Sequence, residues 1–139
     1  MTFKTMIDFV NATGFPARVV KAVIHKIGGW DCFKETAADV ANHGADSGFS
    51  GFTYYSDTCA FYENHQTDIV KMVGDMAEQL GDEGAVEMVR GFNCLGKDSY
   101  SAEEVGKTLY GSKAKHDTQV ANALAWFALE EVCRAYVNE

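Results

Sequence analysis

A chain of 139 residues with 47% apolar and 23% charged side chains is long and apolar enough to bury a sizeable core, since chains of about 150 residues hide roughly two-thirds of their surface. The longest unbroken apolar run, Ala123 to Leu129, falls far short of the ~20 residues a membrane span needs, and the opening MTFKTMIDFVN has no continuous apolar stretch of the secretory type. Twelve basic against twenty acidic residues leave a formal net charge of −8, the wrong sign for direct contact with a nucleic-acid backbone, where Lys and Arg must displace counterions.

Glycine provides most of the punctuation along the chain. Phe3, Met6, Ile7 and Val10 share one face at helical spacing, and Gly14 is placed to close that helix in a left-handed conformation. Pro16 falls where a second helix begins, its missing N–H harmless in a first turn. That helix carries Val19, Val20, Val23, Ile24 and Ile27 and stops at Gly28-Gly29. Asp31 is a suitable N-cap for a third, which presents Phe33, Ala37, Val40 and Ala41 and ends at His43-Gly44.

The next stretch, GFSGFTYYSDTCAFYE, changes character. Phe52 and Tyr54 alternate with Thr53 and Tyr55, and Cys59 and Phe61 alternate with Ala60 and Tyr62, on either side of Ser56-Asp57. Period-two patterning about a polar pair predicts a β-hairpin pairing 51–55 with 58–62, laid against helices because an isolated hairpin is marginal. A helix through Thr58 to Glu63 is the competing reading.

Helical spacing returns with Ile69, Val70, Val73, Met76, Ala77 and Leu80, and Gly81 ends it. Asp82 can cap a shorter helix bearing Val86, Met88 and Val89 that fades near Gly91; residues 91–100 read as loop. Ser101 and Glu104 have capping-box spacing and open a short helix to Tyr110. The final element, about 115–137, lines one face with Val120, Leu124, Phe127 and Val132 or Cys133. Ala121, Ala125, Ala128 and Leu129 widen that face, as in a helix packed into a core. With no repeat or linker, residues 1–139 read as one α+β domain, mostly helical, with about six helices and one hairpin near residues 50–62.

Complete catalytic motifs are missing. Gly91 to Asp98 has the glycines and lysine of a phosphate-binding loop, but Asp98 stands where a Ser or Thr would hold magnesium. Ser101 to Thr108 ends in Gly-Lys-Thr without the first glycine. Gly48-Phe49-Ser50-Gly51 is one residue short of a nucleophile elbow. The cysteines at 32, 59, 94 and 133 form no CxxC pair and suit reduced thiols in a cytosolic protein. Asp39 and His43 lie one helical turn apart, but a metal site needs a third ligand such as His65 or Asp46. Cys59 with His65 is the nearest approach to a thiol nucleophile and its base. No cofactor is implied.

What stands out is charge beside aromatic surface. Between residues 27 and 70, Asp31, Glu35, Asp39, Asp46, Asp57, Glu63 and Asp68 face Lys34 alone. Tyrosines beside carboxylates are typical of protein-recognition surfaces, and an acidic stretch steers a chain toward a basic partner.

The run Gly44-Ala-Asp-Ser-Gly48-Phe-Ser-Gly51-Phe-Thr-Tyr-Tyr-Ser-Asp57-Thr58, continued by Phe61-Tyr62 and the helix from Asn64 to Leu80, resembles small uncharacterised proteins of phages and mobile elements. Proteins of that size, acidity and origin include anti-CRISPR and antirestriction inhibitors. The resemblance covers about 40 residues and carries over no catalytic residue. It implies a cytoplasmic inhibitor of a host nucleic-acid-handling defence complex, one that occupies a basic surface on that partner without binding nucleic acid or membrane itself. Asp46, Asp57, Glu63 and Asp68 would supply charge, and Tyr54, Tyr55 and Tyr62 anchors. The alternatives are a small enzyme or metal-binding protein using Asp39, His43, Cys59 and His65, and a homo-oligomer built through the alanine-rich final helix.

Overall fold

A computed structural model describes residues 5–90 and 118–138. The described elements are all helical: α1 (Met6–Ala12), α2 (Ala17–Ile27), α3 (Trp30–His43), a 3-10 turn (Gly44–Asp46), α4 (Tyr55–Arg90) and α5 (Thr118–Val137). The short helix from Ser101 to Tyr110, both stretches resembling phosphate-binding loops, Cys94 and His116 lie outside the described residues.

The expected α+β class is therefore corrected. Among the described residues there is no strand, and the hairpin near residues 50–62 is replaced by the start of α4. The reason lies in the first turn. The Tyr54 N–H donates to Asp57 Oδ2 at 3.3 Å, while the Asp57 N–H donates to the Tyr54 carbonyl at 3.0 Å. An acid three residues into a helix that reaches back to the capping amide is half of a capping box, so Ser56-Asp57 begins a helix where a hairpin turn was expected. Thr58 Oγ1 donates to the Tyr55 carbonyl at 3.2 Å and adds to that turn. Beyond it, Thr58, Phe61, Tyr62, Ile69, Met72 and Val73 are all buried at spacings of three, four and seven. Period two held over too few residues to compete with a stripe of that length. The helix is interrupted at His65 (φ −128°, ψ 19°) and at Gly81 (φ 78°, ψ 159°), the latter at the expected break.

Two compact units are present, one comprising Met1–Thr53 with Ala128–Glu139, the other Tyr54–Phe127. In the first, Thr5 caps α1 by accepting the Asp8 N–H at 3.1 Å, and Gly14 has φ 74° just past its end. Pro16 sits at the N-cap of α2, its carbonyl accepting from the amides of Val19 and Val20. All five apolar residues expected on that helix are buried. Its end is tied off by the Gly28 and Gly29 amides, both donating to the Ile24 carbonyl. Asp31 falls in the first turn of α3, and Gly29 takes the cap position expected for it.

An aromatic cluster joins α1, α3 and α5 inside this unit. Phe9 is fully buried. Trp30 stacks on Phe33 at 5.9 Å between centroids, and Tyr136 meets Phe9, Trp30 and Phe33 at steep angles, 5.3–5.8 Å away. Each such pair adds about 0.5–1.5 kcal/mol beyond area burial.

Helix α5 runs from the second unit into the first at Phe127 and Ala128. Every residue from 121 to 130 is buried, so the helix is enclosed all round where one buried face was expected. Its alanines at 121, 123, 125 and 128 are buried within the chain.

Candidate protein-binding surface

The segment leading to α4 is held by its own side chains. Phe49 and Phe52 meet edge to face at 5.5 Å, Lys26 Nζ lies 5.8 Å from the Phe52 ring centroid, and Thr53 Oγ1 donates to the Ser50 carbonyl at 2.6 Å. Gly51 packs so closely on the Phe49 ring that a side chain there would collide with it.

Tyr54 and Tyr55 then open α4 on the surface, 69% and 44% exposed. Tyr54, Tyr55, Ile7 and Val137 are the exposed large apolar residues of the described surface, and Tyr54 is the most exposed of them. Glu63 is exposed two turns further on, and Asp57 and Asp68 are half-buried. These residues all belong to the second unit. Asp46 is exposed on the 3-10 turn of the first.

Tyr62 differs from the other two tyrosines expected as anchors. It is fully buried, and burial pushes its phenol up to about 12, so in this structure it is part of the core. Asp57 is engaged in capping α4 as well as contributing charge. Neither feature is visible in residue type alone; the signal for both was the spacing of Tyr54, Asp57, Thr58 and Phe61, which fits one helix.

The residues of the alternative reading divide between the units. Asp39 and His43 lie on α3 in the first, Cys59 and His65 on α4 in the second. Asp39 Oδ2 accepts the Gly48 N–H at 2.7 Å, which fixes the turn after α3. His65 lies against the Phe61 ring at 5.0 Å; burial lowers its pKa, and Asp68 partly offsets that. Among the described residues no group of three or more His, Cys, Asp or Glu side chains is placed to hold a metal ion.

The sequence reading passed over Glu130. It is a carboxylate on the enclosed face of α5, 9% exposed, with Arg134 Nη2 at 3.2 Å. Arg134 also reaches Glu131 at 2.8 Å. Beside it the Cys133 thiol is buried and pushed up to about 12, chiefly by desolvation, which makes it unreactive.

Among its described residues this is a helical protein that exposes Tyr54, Tyr55 and Glu63 on one helix. A family model described as "Domain of unknown function (DUF7222)" matches residues 17–139, and the chain belongs to that family. No curated protein and no solved structure matches it. No helix among the described residues is long and apolar enough to cross a membrane.

Proposed function

We propose that this chain is an acidic protein-binding inhibitor that occupies a basic, nucleic-acid-binding surface on a partner, of the kind found in host defence complexes. The observation that supports the reading most is the exposed pair Tyr54 and Tyr55 at the start of α4, held in place by Asp57. Tyrosine buries a large area at small entropic cost and is enriched among residues that dominate binding energy. The net charge of −8, with Glu63, Asp68 and Asp46 at the surface, suits steering toward Lys- and Arg-rich grooves.

The test uses the purified chain as bait in a bacterial lysate, beside a Tyr54→Ala/Tyr55→Ala double variant. The expected result is a protein retained by the parent chain, displaced by added nucleic acid, and lost from the double variant at unchanged bait stability. Equal retention by both baits, or retention of nucleic acid itself, would overturn the reading.

A further inference from the structure

The turn between α3 and the 3-10 helix is packed against a carboxylate, and both lie within the first unit. Gly44 is buried and adopts φ +51°, ψ −121°, a conformation that side chains rarely tolerate. A Cβ at this position would lie 3.1 Å from Glu130 Oε1 and 3.2 Å from Oε2, so the whole carboxyl group faces the Gly44 backbone. The same turn is closed by two hydrogen bonds, the Gly44 N–H to the Val40 carbonyl and the Ser47 N–H to the Gly44 carbonyl at 3.0 Å.

A carboxylate so placed is poorly compensated. Arg134 is shared, and its shorter contact goes to Glu131, at 2.8 Å against 3.2 Å. Glu131 adds a second negative charge one residue away. On the α3 side His43 and Asp46 flank the turn, both exposed to solvent, and Cys133 on the same helix face is neutral.

We propose that Glu130 is a proton-operated latch on the Gly44 turn: neutral, it lets α5 close against the turn; ionised, it moves toward solvent while keeping its contact with Arg134 and loosens the turn that carries Asp46. Burial, only partly offset by Arg134, raises the carboxyl from 4.5 to about 7. Because the folded value lies above the unfolded one, the stabilisation is complete below about pH 4.5 and is lost as pH rises through 7. The range includes neutral pH, where a modest change in acidity alters the population of the closed turn. The proposal is independent of the binding reading above and survives its failure.

Two measurements on the intact chain test it. Carboxyl-carbon NMR of the unaltered protein should show one Glu titrating near pH 7, assigned by its disappearance in Glu130→Gln. Amide exchange at Gly44 and Ser47, corrected for intrinsic rates, should accelerate with the same midpoint. In Glu130→Gln, which keeps the shape and stays neutral, that pH dependence should vanish, while Glu131→Gln should retain it. A Glu130 midpoint near 4.5, or exchange at Gly44 and Ser47 that tracks pH identically in Glu130→Gln, would overturn the latch. Should Glu130→Gln fail to fold, the titration midpoint, assigned by through-bond correlation in the unaltered chain, decides alone.

Discussion

The Asp57 carboxylate accepts the backbone N–H of Tyr54, and this one bond relates the two parts of the proposed surface. It satisfies an amide that has no partner within the helix, starts α4, and thereby fixes where Tyr54 and Tyr55 emerge. Asp57→Ala should cost about 0.5–2 kcal/mol in chemical denaturation, the range for losing a cap. Glu63→Ala, at an exposed site, should stay within about 0.5 kcal/mol. Equal effects would show that Asp57 does not cap the helix.

Gly44 should be intolerant of any side chain. Gly44→Ala meets both a left-handed backbone and the Glu130 carboxylate. A loss of about 1–3 kcal/mol is expected from the backbone strain alone, measured as a fall in denaturation midpoint. Gly14→Ala is the comparison: its φ is 74°, with no atom within 4 Å of an added Cβ, and it should cost less.

Core positions should separate from surface ones among the aromatics. Phe127→Ala and Tyr62→Ala, both at fully buried sites, should each cost about 3–5 kcal/mol. In ultraviolet titration Tyr62 should ionise near pH 12, well above the ordinary phenol value of 10. The fold disfavours the buried phenolate, so the stability this contributes is present below pH 10 and lost as pH rises through 12. Ionisation of Tyr62 near pH 10, the ordinary phenol value, would contradict its place in the core.

How much of this was legible in the sequence depended on how long each pattern ran. The faces of α2 and α3 follow from repeated spacing, and Gly14, Gly28 and Gly81 mark real interruptions. The stretch from Phe52 to Tyr62 misled because five-residue alternation and a polar pair mimic a hairpin, while the helical stripe shows only when Thr58, Phe61 and Tyr62 are joined to Ile69 and Val73. The same error left Tyr62 among the anchors. Glu130 could not be anticipated, since a glutamate on a helix is ordinarily solvated, and its carboxyl lies against Gly44, distant in sequence. The meeting of Phe9, Trp30, Phe33 and Tyr136 is likewise a product of tertiary packing.

The most direct test of the proposed surface is a kinetic binding series against the partner protein retained from lysate, at low and high salt. Glu63→Lys with Asp68→Lys should slow association and reduce its salt dependence, since exposed charges are screened beyond roughly 8–10 Å at physiological ionic strength. Asp57 is left intact in that variant so that α4 keeps its cap. Tyr54→Ala with Tyr55→Ala should instead speed dissociation at nearly unchanged association rate, as loss of buried anchors does. Association that ignores salt and the charge reversal, together with dissociation untouched by the loss of both tyrosines, would contradict the account.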